Sequence, residues 1–300
     1  MATDMTAQSS AAASTISAAP RRRGARSDSR TATVVTMAVL VLLAIIYIYP
    51  FVVQVLTSFK TNADAVSNPL GMPQIWTVEA YQRLFTSSDY PLWFRNSVIV
   101  TLFVTAGRVF FNSLAGYALA RLRFPGRALV FSFLVAVMAV PGVVLLIPKF
   151  LVINTLGIYN TFFGLILPLL VDAAGVFIMK NYFESIPASV EEAARIDGAG
   201  TFRVFWSVVL PMARPALITI TILSFQGSWN ELSHFIVAAN DRDLFNLTRG
   251  VASLTSGALG SSADYPLKMG AAALMTIPVA VLFFVFQKRI MGTSDGAVKG

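Results

Sequence analysis

Two groups of residues in this 300-residue chain have types and spacings that suit chemistry. The first is the run from Ser185 to Phe202, with Pro211 standing thirteen residues beyond Gly198. It sets three carboxylates, Glu191, Glu192 and Asp197, around two alanines, Ala193 and Ala194, and a glycine, Gly198. Pro187 suits the first turn of a helix, where a missing N–H costs little. Ser189 and Glu192 stand at capping-box spacing, and Glu191 and Glu192 favour the positive end of such a helix. Gly198 can end it in a left-handed conformation. The pattern predicts a short helix with acidic partners and a small-residue face that lets another surface approach its backbone. That is docking chemistry; the plainer alternative is an ordinary amphipathic loop helix. The second group lies inside apolar stretches: Arg108, Asn112, Asp172, Asn230, Glu231 and His234. Ionisable groups in hydrocarbon are costly and are functional candidates by default. Asp172, Asn230 and Glu231 can offer hydrogen bonds to a polar ligand. Equally, Asp172 can pair with Arg108 or cap a helix, and Asn230 and Glu231 can bond across helices or to a partner chain. His234 reads as an interfacial residue rather than a proton relay.

Other chemistries are excluded by what the chain lacks. There is no cysteine, hence no disulfide, iron–sulfur cluster or thiolate zinc site. A single histidine rules out a multi-histidine metal centre. No Gly-Lys dipeptide occurs, so the chain carries no phosphate-binding loop of its own. No zinc motif, nucleophile elbow or paired-carboxylate constellation supports an intramembrane enzyme. No catalytic residue, metal or cofactor is expected.

The elements that must position these residues are apolar helices. Apolar residues make up 56% of the chain and charged ones only 13%, against about a quarter in a soluble domain. A span needs roughly 20 apolar residues. Six segments qualify, near 33–57, 97–119, 128–149, 159–180, 212–238 and 267–287. Pro141, Pro168 and Pro278 fall inside three of them, as static kinks or hinges. With the N-terminus inside, fifteen Lys and Arg residues lie in inner segments and seven in outer ones. The positive-inside rule then predicts both termini in the cytoplasm. The net charge of +8 therefore serves orientation and contact with anionic lipid, not nucleic acid. Residues 1–30 read as a disordered basic tail, 31–290 as a six-helix membrane domain whose cytoplasmic loop spans 181–211, and 291–300 as a C-terminal tail. Outer loops are expected at 58–96, with a short helix near 77–86, and at 239–266.

The pattern Glu192-Ala193-Ala194, three residues, Gly198, nine residues, Val208, one residue, Leu210-Pro211 resembles the EAA loop of binding-protein-dependent ABC importer permeases. Val208 departs from the isoleucine usual there. Asp197-Gly198-Ala199, Pro211 with Pro215, Trp229-Asn230-Glu231, Phe286-Gln287-Lys288-Arg289 and the ending Gly296-Ala297-Val298-Lys299-Gly300 resemble the carbohydrate-uptake branch and its MalG-like subunits. The resemblance covers nearly the whole chain after residue 30. It implies the six-helix fold of type I importer permeases in a bacterial cell membrane. It also implies a coupling helix held in a cleft of a separate ATPase, with Glu192, Ala193, Ala194 and Gly198 as contact core and Glu191 and Asp197 beside it. The implied partners are two ATPase subunits, a homologous permease and an extracytoplasmic solute-binding protein, with residues 295–300 reaching toward the ATPases. Two carboxylates in the spans, Asp172 and Glu231, favour a neutral sugar or polyol over a cationic solute. Glycerophosphodiesters or another small polar solute remain open, as does an ion-coupled secondary carrier, although such a carrier has no use for a docking helix.

Overall fold

The computed structural model describes residues 28–255 and 264–292, with side chains over 32–254 and 264–287. The N-terminal tail before residue 28, the tip 256–263 of the second outer loop and the C-terminal tail lie outside the described residues. The chain divides into two units, residues 1–50 and 51–300. The first contains most of α1 (Asp28–Ser58), whose stretch from Ala32 to Ser58 is long and apolar enough to cross a membrane.

In the second unit the described elements are all helical. α2 (Asn62–Ser67) and α3 (Glu79–Thr86) precede α4 (Tyr90–Arg121), and α5 (Arg127–Met138) is followed by α6 (Leu146–Thr155). α7 (Phe162–Ile166) leads into α8 (Ala173–Ser185), and α9 (Ala188–Ile196) forms the loop helix. α10 (Thr201–Val204) and α11 (Leu210–Met212) flank one π turn, Phe205–Val209, and α12 (Arg214–Trp229) follows. α13 (Ser233–Ala238), α14 (Leu247–Thr255) and α15 (Tyr265–Gly292) complete the order. The short helix expected near 77–86 is α3. Among the described residues, four helices are long and apolar enough to cross a membrane, or up to six if two bent pairs each count as one span.

Three expected spans are not continuous helices. The third turns by 104° between Arg127–Met138 and Gly142–Thr155. Pro141, with ψ 129°, leaves the helical region there and has no N–H to continue the ladder. The fourth starts at Phe162, because Asn160 is left-handed (φ 56°) and Thr161 caps the helix by accepting from the Gly164 amide at 3.2 Å. It is then interrupted around Pro168, and Asp172 starts α8, which runs to Ser185 rather than residue 180. The fifth, expected at 212–238, is a straight helix only from Arg214 to Trp229 and resumes as α13 at Ser233. At its start, between Pro211 and Pro215, the chain turns by 80° from Thr201–Met212, a helical stretch within the expected loop. By contrast, α15 continues through Pro278.

α4 is the pillar of the unit. Its 32 residues make a rod about 48 Å long, packed against α8 and α12. Toward its N-terminal end, Trp93, Val100 and Val104 join Leu165, Trp229, Phe235 and Leu247 in one buried apolar cluster. Toward its C-terminal end, Tyr117 packs with Met179, Phe183, Phe205 and Val209 in a second. Gly116 sets the closeness of α4 and α8: a Cβ there would stand 2.7 Å from the Met179 Cβ and 2.9 Å from the Lys180 amide nitrogen. At the N-terminal end, the Asn96 side-chain amide donates to the Asp243 and Phe245 carbonyls at 2.7 and 3.0 Å, and the Ser97 hydroxyl accepts from the Leu247 amide at 2.7 Å.

Candidate functional site

The run 185–202 folds as a helix between two tight ends. Ile186 and Pro187 are extended, and α9 begins at Ala188 with Pro187 as its N-cap. The capping box expected from Ser189 and Glu192 does not form, and no side chain caps this end. Ser189 already lies within the first turn, and the proline ring offers no acceptor. The C-terminal end closes as read from Gly198, whose φ is +82°. The Gly198 amide donates to the Arg195 carbonyl and the Ala199 amide to the Ala194 carbonyl, each at 3.0 Å. This is the pair of bonds that satisfies the last carbonyls of a helix ended by a left-handed glycine.

Glu191 faces inward and is 5% exposed. One of its oxygens lies 2.9 Å from Arg121 Nε as an ion pair without hydrogen-bond alignment. The other accepts from the Tyr117 hydroxyl at 3.2 Å and lies 3.6 Å from Arg195. Arg121 in turn donates to the Phe183 carbonyl at 2.6 Å and to the Ile186 carbonyl. The Tyr117 ring is edge-on to Phe183 and tilted against Phe205, at 5.8 and 4.9 Å between centroids. Thus α9 is fastened to the ends of α4 and α8 through one carboxylate. Glu192, Ala193, Ile196, Asp197 and Gly198 are exposed, while Ala194 is half-buried against the second apolar cluster. Four of the six loop residues singled out from sequence, Glu192, Ala193, Asp197 and Gly198, are therefore accessible; Ala194 is half-buried, and Glu191 is turned inward and anchors the loop.

Asp172 lies mid-bundle in a polar knot. Its carboxylate accepts from the Gly175 amide at 2.7 Å, capping α8, and from the Asn112 side-chain amide at 3.0 Å. The Asn112 side-chain oxygen Oδ1 accepts from the Asp172 backbone amide at 3.3 Å. Arg108 Nε donates to the Leu169 carbonyl at 2.7 Å and lies 3.6 Å from the carboxylate. Gly175 leaves room for this knot, since a Cβ there would stand 2.0 Å from Asn112 Nδ2. A small cavity of about 70 Å3 opens beside it, bordered by Arg108, Asp172, Ile220 and Ser224. Asn230 and Glu231 are not part of this knot. Exposed Asn230 donates to the Gln226 carbonyl at 3.0 Å at the end of α12, and Glu231 accepts from the His234 amide at 2.9 Å at the start of α13. His234 is buried, with Nε2 3.0 Å from the Gly164 carbonyl oxygen.

Sequence reasoning missed Tyr117 and Arg121 as part of this site. Arg121 counted only as an orientation charge at a span end; its one local signal was its place in the inner segment nearest α9 in space, which spacing does not reveal.

The family model described as "Binding-protein-dependent transport system inner membrane component" matches residues 112–291. The diacetylchitobiose uptake system permease protein NgcG of Streptomyces coelicolor is 34% identical over 273 residues, covering 90% of each chain. The arabinooligosaccharides transport system permease protein AraQ of Bacillus subtilis is 31% identical over 264 residues, covering 86% of this chain and 93% of AraQ. A chain from the crystal structure of a bacterial ABC transporter involved in import of the acidic polysaccharide alginate superposes with a TM-score of 0.76 at 29% identity, over 88% of this chain and 98% of that one. With its helical architecture and exposed loop helix, the chain belongs to the binding-protein-dependent inner membrane components, the permeases of ABC importers, and is a transport component rather than an enzyme.

Proposed function

We propose that this chain is the permease subunit of an ATP-driven importer that passes a carbohydrate, whether oligosaccharide, monosaccharide or polyol, into a bacterial cell. The single observation that carries the carbohydrate reading is the set of relatives whose names specify diacetylchitobiose and arabinooligosaccharides at 34% and 31% identity. In this reading the α9 end of the bundle is cytoplasmic, as are both termini. The exposed side of α9, from Glu192 to Gly198, seats in a cleft of one ATPase subunit of a pair. A homologous permease completes the pore, and an extracytoplasmic binding protein delivers the solute to the opposite end. ATP-driven closure of the ATPase pair moves α9, and the fastening through Glu191 and Arg121 carries that motion into α4 and α8. Asp172 and its cavity border the path, while Asn230 and Glu231 serve helix ends first.

The test is purification with this chain as bait, followed by uptake in proteoliposomes of the recovered complex against a panel of labelled sugars and polyols. ATP-dependent uptake of at least one of them, with an ATPase and a second permease in the complex, supports the reading. ATP-dependent uptake confined to a non-carbohydrate solute would overturn the substrate class and leave the family untouched.

A further inference from the structure

A pocket of about 600 Å3 lies behind α9, between that helix and the α4–α5 turn. Its volume falls within the range of small-ligand sites, roughly 300–1,000 Å3. Four guanidinium groups line it, those of Arg121, Arg123, Arg127 and Arg195, against two carboxylates, Glu191 and Glu192. Glu191 is shared between Arg121 and Arg195. Arg127 donates to the Ala120 carbonyl at 3.2 Å and lies 3.5 Å from the exposed Glu184, and Arg123 has no ion pair among the described residues. The pocket thus holds an excess of two positive charges presented as planar donor forks, the geometry suited to phosphate oxygens. On α9 it is bordered by Ala188, Glu191, Glu192 and Arg195; Glu192 stands at its rim and also belongs to the exposed docking side with Ala193, Asp197 and Gly198.

We propose that this pocket takes a phosphate group, supplied by the headgroup of an anionic phospholipid in the adjoining leaflet. Arg127 is the first residue of α5, and the helix continues from it with Leu129, Val130 and Phe133, all exposed at 49–64%. A headgroup held at Arg123 and Arg127 has its acyl chains beside this apolar face. Basic pockets at the cytoplasmic ends of membrane helices suit such headgroups. The bound phosphate would bridge the α4–α5 turn to α9 through Arg195 and so stiffen the loop on its pillar. The assignment of this end to the cytoplasmic leaflet rests on the orientation proposed above.

The experiment uses the purified importer complex in phosphatidylcholine nanodiscs with and without phosphatidylglycerol. Lipid retention is read by native mass spectrometry, and loop order by hydrogen exchange of residues 188–199. Arg123→Gln with Arg127→Gln should lower phosphatidylglycerol retention roughly thirtyfold, at about 1 kcal/mol per arginine. Lys268→Gln, at the far end of the bundle, should leave it unchanged. The lysine pair Arg123→Lys with Arg127→Lys should restore much of it, which a folding defect would not. A second arm adds inorganic phosphate to nanodiscs of phosphatidylcholine alone. Protection of the loop by phosphate but not by phosphatidylglycerol would keep the phosphate site and assign it to a soluble anion. Equal lipid retention in the glutamine pair and the wild type, with no response to phosphate, overturns the proposal. Recovery of the ATPase in the same preparation tests the coupling role of α9 separately.

Discussion

Replacing Glu191 by alanine should loosen α9 from the bundle while leaving the membrane helices folded. Removing one member of a buried ion pair costs about 3–5 kcal/mol, because the other charge is left uncompensated. Arg121 keeps the Phe183 and Ile186 carbonyls as acceptors and its side chain is 15% exposed, so the lower end, about 3 kcal/mol, applies. A helix of nine residues has little stability alone, and the loss therefore falls on the opening equilibrium of the loop. About 3 kcal/mol is roughly two orders of magnitude in that equilibrium. Hydrogen exchange followed by mass spectrometry reads it directly, as a drop of about a hundredfold in protection of the α9 amides, with the amides of α4 unchanged. Glu192→Ala is the contrast: Glu192 is exposed and makes no ion pair among the described residues, so exchange should stay as in the wild type while ATP-driven uptake falls. Wild-type protection of α9 in Glu191→Ala would refute the anchoring role.

Further outcomes follow from single contacts. Gly198→Asp should insert and express normally yet abolish uptake, because its Cβ meets nothing within 4 Å inside the chain and the added charge stands on the docking side; normal uptake at normal expression would contradict the coupling role. Gly198→Ala, paying only about 1–2 kcal/mol for the left-handed backbone, should keep most of the uptake. Gly116→Ala should lower the thermal midpoint in detergent by overpacking α4 on α8, at about 1–3 kcal/mol; an unchanged midpoint would show that the two helices separate freely. Asp172→Asn should hold the α8 cap while losing the charge beside Arg108, and so lower the midpoint less than Asp172→Ala, which loses the cap as well, about 1 kcal/mol. Equal midpoints for the two variants would remove the capping role.

The spans were legible because apolar runs between Arg30 and Lys60 or through residues 267–287 have few ways to be anything but membrane helices. Gly198 was legible because a glycine after Ala-Arg-Ile-Asp ends a helix by backbone freedom alone. The prolines were visible, yet their outcomes differ: Pro278 is absorbed within α15, whereas Pro141 accompanies a 104° turn. Which happens depends on the neighbours available to satisfy freed carbonyls, and those are distant in sequence. Some charges have a structural role that their count by side does not show. Lys60 and Arg249 counted as orientation charges outside the membrane. Lys60 is 1% exposed and donates to the Asn68 carbonyl at 2.5 Å. Arg249 binds the Phe235 and Ala239 carbonyls at the end of α13 and stacks 3.9 Å over the Phe245 ring. A cation's hydropathy is the same whether it faces water or closes a helix end.

α4 is tied at both of its ends, through Asn96 and Ser97 to the segment 243–247 and through Tyr117 and Arg121 to α9 and the end of α8. Mechanically it is a seesaw. A rigid rod about 48 Å long that rocks by about 10° around its middle carries each end about 4 Å, in opposite directions. Under the proposed function, a push delivered at α9 and a displacement at Asn96 and Ser97 would then be one movement of α4, with no separate signal needed to keep its two ends in step.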